Sequence, residues 1–312
     1  KTSVPMMLSR QLLVFVLSTI VVGPTTFVAG FSASTPVSTL LTQNADKIAQ
    51  LKDVAKSVAP SDAPADDIFY LRYIVEDYES DTDRTEALTS TMKWRIGEGK
   101  AICDAAKEAL EKATAGGPGT WDNGPIRAAA PNAATINEYI TPSQIITTAS
   151  RKGDLVNCIR AGQIDDVSLM SKVSVEQMTD FFIYCKEVNN MVANARSAQL
   201  DTLLKIIAVN DLSGVKLIGG DATFRNALSG SSKITTPLYP GSAGTTLLVN
   251  LPRLLSALVK LFTPLFPKKV QERIKFEQGP LKNVNDLTEA LKGGVGYEKF
   301  MDEIDALVYA KK

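Results

Sequence analysis

Three cysteines, Cys103, Cys158 and Cys185, and not one histidine make up the soft titratable chemistry of this 312-residue chain. Histidine is the usual general base near neutral pH and the commonest metal ligand. Without it a Ser-His-Asp triad, a Cys-His dyad and a His-ligated zinc site are all excluded. The cysteines lie far apart, form no CxxC pair and sit among apolar neighbours, as in Leu155-Val-Asn-Cys158-Ile159. They read as small buried hydrophobes, with one disulfide left open. Chemistry by a carboxylate pair or a lysine stays open in principle. No close acidic pair, however, falls at an expected strand end beside a nucleophile. The expectation is therefore no catalytic residue, no metal ligand, no cofactor and no enzymatic activity. Lys plus Arg and Asp plus Glu each number 34, which leaves no basic footprint for nucleic acid.

A second group of residues points to surface chemistry. The stretch from Arg253 to Phe266, Arg-Leu-Leu-Ser-Ala-Leu-Val-Lys-Leu-Phe-Thr-Pro-Leu-Phe, is apolar on nearly every side, with Lys260 its one charge after the first residue. A helix of this kind is either buried all round or spends time against lipid. It falls well short of the roughly 20 apolar residues that a membrane span needs. Lys268, Lys269, Arg273 and Lys275 follow as a basic run. Both readings stand at this point: a core helix with a solvated tail, or a lipid-facing helix with a basic rim.

The elements that would position these residues fall into blocks. Residues 1–30 read as a signal peptide, with Arg10 before the apolar core Leu12–Val22, a break at Pro24 and small residues at Val28-Ala-Gly30. The alternative is an uncleaved anchor. Residues 31–60 read as a transit-like or linker segment, helical or disordered from 37 onward. From 61 to 115 the spacing of Ile68, Leu71, Tyr73-Ile74-Val75 and Tyr78, and then of Leu88, Met92 and Ile96, predicts helices. Ala115-Gly-Gly-Pro-Gly119 and Asn123-Gly-Pro125 mark residues 116–135 as a linker. Residues 136–312 alternate in texture. Asp154–Arg160, Leu203–Val209, Thr245–Val249 and Arg273–Phe276 read as strands. Ser174-Val-Glu-Gln177 has capping-box spacing ahead of a helix whose face carries Val175, Met178, Phe182, Cys185, Val188 and Val192. A late helix starts near Asp286. Strands alternating with helices give an α/β sheet.

Five blocks then carry a resemblance, in order along residues 66 to about 295. They are Phe69-Tyr-Leu-Arg72-Tyr; Met92-Lys-Trp94-Arg95; Arg151-Lys-Gly-Asp154 with Arg160-Ala-Gly-Gln-Ile164-Asp165; Val209-Asn-Asp211-Leu-Ser-Gly214; and Tyr239-Pro240 followed by Leu247-Leu-Val-Asn250-Leu-Pro252, the apolar stretch, Pro267 and Arg273-Ile-Lys-Phe276. Together they resemble the CRAL-TRIO lipid-binding family, in its yeast-type phosphatidylinositol-transfer branch. Phe31-Ser-Ala-Ser-Thr-Pro36 likewise resembles the presequence used for secondary plastids in algae. Plastid is thus the expected location and the secretory system the alternative.

The resemblance implies a small all-α N-terminal module leaning on a bowl. A mixed β-sheet is the bowl's floor, and a mobile helix over about 253–266 is its lid. It implies a hydrophobic ligand, a phospholipid such as one of the phosphatidylinositol type, bound and transferred between membranes without catalysis, and a monomer in transient contact with a membrane surface. It places Ser256, Leu258, Lys260 and Phe262 on the ligand. Leu254, Leu255, Leu261, Phe266, Lys268 and Lys269 fall on the lid and membrane contact. Ala257 stands where those members have threonine, and Gly230 where they have a glutamate. Pro240-Gly-Ser-Ala-Gly244 replaces their Pro-Glu-Arg. An isoprenoid ligand, or a structural protein with a closed pocket, are the alternatives these departures leave.

Overall fold

The computed structural model describes residues 35–117, 120–215, 221–252, 268–279, 281, 282, 284 and 286–309. Its helices begin where side-chain oxygens can take over the free N–H groups of a first turn. Asp66 accepts from the Ile68 N–H and Ser80 from the Asp83 N–H, so α3 (Asp67–Val75) and α4 (Asp81–Ile96) start cleanly. Ahead of them lie α1 (Val37–Gln43) and α2 (Ala45–Val58), and α5 (Lys100–Ala113) follows. The four helices α1–α4 share one core of Leu40, Leu51, Tyr70, Leu71, Tyr73, Leu88 and Met92. The segment open to a helical or disordered reading, 37–60, is helical. Its Val37, Leu40, Ile48, Leu51 and Ala55 fall on the buried side.

Residues 116–135, read as a linker, hold α6 (Asn123–Ala129) and the start of α7 (Ala133–Tyr139). The Gly and Pro residues serve here as helix boundaries: Asp122 caps α6 through the Gly124 N–H, and Asn132 turns the chain with φ 55°. Arg127 donates to the Ile140 carbonyl, and Tyr184 donates to that of Ile126, which fixes these short helices to the next layer.

The sheet has five strands in the order β1-β2-β3-β4-β5. They are β1 (Ile145–Ala149), β2 (Leu155–Arg160), β3 (Ile206–Asp211), β4 (Ala243–Val249) and β5 (Ile274–Glu277). Strand β1 is antiparallel to β2, and the other pairs are parallel. Parallel neighbours need a long crossover, usually helical. Here α9 (Val175–Leu200) joins β2 to β3, and α10 (Ala222–Leu238) joins β3 to β4. A short helix α8 (Asp166–Met170) precedes α9. The capping box at the start of α9 is present in full: Ser174 accepts from the Gln177 N–H while Gln177 accepts from the Ser174 N–H.

Three details differ from the sequence pattern. Strand β3 begins at Ile206 rather than Leu203, because the Leu204 N–H is taken by Ser197 Oγ as α9 ends at Asp201. The turn Arg151–Gly153 precedes β2 as a hairpin, and its partner β1 was not anticipated. The late helix from Asp286 is short: α12 (Leu287–Leu291) stops before Gly293 and Gly294, both at positive φ, and α13 (Gly294–Tyr309) follows. A short helix α11 (Lys268–Arg273) leads into β5.

Candidate functional site

Side chains alternate across a strand, so each face of the sheet can be read by register. One face carries Val156, Cys158, Val209, Leu247 and Val249, all fully buried, under Leu287, Phe300, Met301 and Ile304 of α12 and α13. Its edges are polar but paired. Arg160 lies 3.4 Å from Asp211 and donates to the carbonyls of Leu281 and Val284, and Lys275 donates to the carbonyls of Leu307 and Val308 at the end of α13. This is the closed face.

The opposite face is covered incompletely. Asn157 and Ile159 on β2, Ile206 and Ala208 on β3 and Phe276 on β5 all keep partial exposure, although β2 and β3 are interior strands. On the same face Leu155, Asn210, Thr246, Leu248 and Ile274 are buried, Asn210 with its Nδ2 without a partner. Interior strands of a parallel sheet are normally covered on both sides. Two walls rise above this open face. Helix α9 crosses β3, and α10 packs along α9 through Phe182 on Phe224 and a Thr179 hydroxyl on the Ala227 carbonyl.

The walls carry unusual polar groups. Cys185 and Lys186, next to each other on α9, are surrounded by protein yet retain partial exposure, as residues lining an internal space do. Burial pushes the Cys185 thiol up to about 12, so it is neutral at physiological pH. Burial likewise lowers Lys186 to about 8. The Lys186 ammonium donates to Ser232 Oγ at 3.1 Å and Thr235 Oγ1 at 3.0 Å on α10. One turn along, Asn190 donates to the Lys186 carbonyl, and its Oδ1 is buried without a partner. All three cysteines are free thiols.

The base of the walls is tied to the N-terminal module. Arg72 of α3 is wholly buried and donates to Asn194 Oδ1 on α9 and to the carbonyls of Leu204 and Gly241. The Gly241 N–H donates to Glu76 at 2.6 Å, and Lys205 donates to the Gly241 carbonyl. Gly241 has φ 65°, and a Cβ there would sit 3.1 Å from the Arg72 carbonyl oxygen. Glycine in place of the glutamate of Pro-Glu-Arg is thus demanded by the backbone at this junction.

At the other end, Asn250 closes β4 with φ 57°, donates to Asp211 and accepts from the Gly279 N–H. The chain then passes into 253–267. Leu254, Leu255, Ser256, Leu258, Lys260, Leu261, Phe262 and Phe266 therefore lie outside the described residues. Lys268 and Lys269 are the first two residues of α11. The sequence pattern did not single out Lys186, Asn190 or Asn210. A lysine between Cys185 and Glu187 reads as an ordinary surface charge. The signal was its position four residues after Phe182 and four before Asn190, on the stripe that faces α10.

A sheet of this order, with one face closed by C-terminal helices and the other roofed by two crossover helices, is matched by sequence as well. The family model described as CRAL/TRIO domain matches residues 141–290, from the residues before β1 into α12. Residues 141–290, just under half of the chain, have the CRAL/TRIO fold. Helices α1–α7 precede it, and α13 packs on its closed face. The CRAL/TRIO family binds lipid ligands, and a lipid-binding protein is what this domain supports. Among solved structures, 31 chains match. One, described as the crystal structure of Sfh5, is similar at a TM-score of 0.47 and 15% identity, over 78% of this chain and 82% of its own. No curated protein matches the chain.

Proposed function

We propose that the chain encloses a single hydrophobic ligand, a phospholipid, between the open face of the sheet and helices α9 and α10, and carries it between membranes without chemical change. The observation that carries this reading is the inequality of the two sheet faces. Val156, Cys158, Val209 and Leu247 are sealed, whereas Asn157, Ile159, Ala208 and Phe276 on the reverse are not. Each methylene of an acyl chain left in water costs about 0.8 kcal/mol. A carrier must therefore cover the tails almost completely, and the uncovered sheet face provides the floor for that.

Residues 253–266 supply the lid in this reading. They are apolar enough to meet a bilayer when open, with Lys268 and Lys269 at the start of α11 beside anionic headgroups. Ser256 and Lys260 are the residues through which a phosphatidylinositol-type headgroup would be met. The absence of a reaction is supported by the pairing of the two most buried carboxylates of the domain, Glu187 with Arg95 and Asp211 with Arg160. A plastid membrane is the proposed place of action, on the resemblance of residues 31–36 to a plastid presequence.

The test is direct. The full chain, purified without added detergent, is extracted and its lipids are identified by mass spectrometry, and transfer is then followed between labelled donor and acceptor vesicles. Bound lipid near one molecule per protein, and transfer above the spontaneous rate, are expected. A folded preparation free of lipid and inert in transfer would rule the reading out.

A further inference from the structure

Lys186 is a half-buried cation, and no ion pair neutralises it among the described residues. Its two hydrogen-bond acceptors, Ser232 and Thr235, are neutral hydroxyls. Thr235 already donates its own proton to the Ser231 carbonyl, so toward Lys186 it can only accept. The neighbouring thiol, Cys185, is held neutral by burial. The chain has 34 Asp and Glu residues, all of them among the described residues. None forms an ion pair with Lys186. Residues 253–267 contain no acidic residue.

Two of the region's buried cations have a carboxylate partner, whereas Arg72 is met by Asn194 Oδ1 and the carbonyls of Leu204 and Gly241. Arg95 has Glu187 and Arg160 has Asp211. A charge partly removed from water without a counter-charge is disfavoured relative to one that is paired. Lys186 also has three N–H donors, two of which are accounted for. An independent sign comes from the floor. Asn210 is on the open face of β3, is 6% exposed, and has a buried Nδ2 with no acceptor. The open face thus carries a buried donor without an acceptor, and the wall a cation whose side-chain partners are two neutral hydroxyls.

We propose that Lys186, with Ser232 and Thr235, forms an oxyanion-binding subsite inside the chamber, so that the ligand is a lipid bearing a carboxylate or phosphate rather than a neutral isoprenoid. This deepens the reading of the chamber as a lipid site and rests on it. The anion accepts the third N–H of Lys186 while Ser232 and Thr235 hold the ammonium in place, and a neutral hydrocarbon offers no such acceptor. Charge-assisted hydrogen bonds of this kind are worth roughly 1.5–3 kcal/mol, which is about a tenfold to hundredfold preference for the acid over its neutral analogue.

The experiment measures binding of two matched pairs of probes to the delipidated full chain at pH 7: oleate against oleyl alcohol, and phosphatidate against diacylglycerol. At least one acid should bind about tenfold or more tightly than its neutral partner, and the pair that discriminates tells carboxylate from phosphate. Lys186→Met should reduce that preference to near unity while leaving the neutral probe within about twofold. Lys186→Arg should keep it. Retained affinity for the neutral probe shows that Lys186→Met is folded. Equal binding of acid and neutral partner by the natural chain, or a preference undiminished in Lys186→Met, overturns the subsite and leaves the lipid chamber standing. No binding of any probe overturns the chamber itself.

Discussion

Arg95 on α4 and Glu187 on α9 meet through two hydrogen bonds of 3.1 and 2.8 Å, with the carboxylate 2% exposed and further held by the Tyr239 hydroxyl at 2.7 Å. This one ion pair joins the N-terminal helices, the wall of the chamber and the turn before β4. Removing the cation alone leaves a buried charge without compensation. Arg95→Met should therefore destabilise the fold by about 3–5 kcal/mol, read as a lowered urea midpoint. The double change Arg95→Met with Glu187→Met should recover a large part of that loss. A double variant no more stable than the single one would show that the pair contributes packing rather than charge.

Asn250 is the joint where β4 hands over to the segment proposed as the lid. It combines φ 57° with side-chain ties to Asp211 and Gly279. Alanine at this position faces the left-handed backbone penalty of about 1–2 kcal/mol and loses both ties. Asn250→Gly loses the ties alone. Both variants should release lipid to vesicles faster than the natural chain, and only Asn250→Ala should add a large drop in melting temperature. Unchanged release in both would separate this joint from lid motion.

Glu76 gives the junction under the walls a dependence on pH. Burial raises its carboxyl to about 7 against an ordinary 4.5, opposed by the Gly241 N–H and by Lys205 and Arg273. Between those two values the folded state holds a proton that the unfolded chain has released, so stability falls as pH rises through the window. Glu76→Gln keeps an acceptor for the Gly241 N–H and removes the titration. The stability difference between Glu76→Gln and the natural chain should widen from pH 4.5 to 7 and then level off, as followed by urea midpoints at stepped pH. A constant difference would show that Glu76 stays ionised in the fold.

Much of this architecture was legible from local chemistry. The capping residues Asp66, Ser80 and Ser174 announce α3, α4 and α9, and the β-branched runs around Cys158, Val209 and Leu247 announce the central strands. What escaped is equally local in cause. Strand β1 is a five-residue edge strand, Ile-Ile-Thr-Thr-Ala, whose pairing is decided by the hairpin at Arg151–Gly153 rather than by its own pattern. Helix α10 is rich in Ser, Thr and Gly and contains Pro237, so its propensity argues against a helix that tertiary packing on α9 enforces. Leu203 has the composition of a strand but belongs to the turn out of α9. The site divides the same way. The family blocks mark the sheet and the lid, whereas Lys186 and Asn210 gain meaning only once two helices and a sheet face close around them.

Lys186 should cost the empty protein stability that the ligand returns. Burial brings its folded value to about 8 from an ordinary 10.5. The sign follows from proton counts: between about 8 and 10.5 the unfolded lysine keeps a proton that the folded one has lost, so stability rises with pH across that range. Below 8 the penalty is present in full. Lys186→Met removes the cation and nearly preserves the stem, so the delipidated variant should melt higher than the natural chain at pH 7. The gap should narrow as pH climbs from 8 toward 10.5. Saturation with the discriminating acid lipid should shift the order the other way, since ligand binding stabilises only the chain that holds it. Calorimetric melting of both proteins, with and without that lipid and at pH 7 and 10, measures all four states. A natural chain that is already the more stable of the two when delipidated at pH 7 would mean that Ser232 and Thr235 satisfy Lys186 without help.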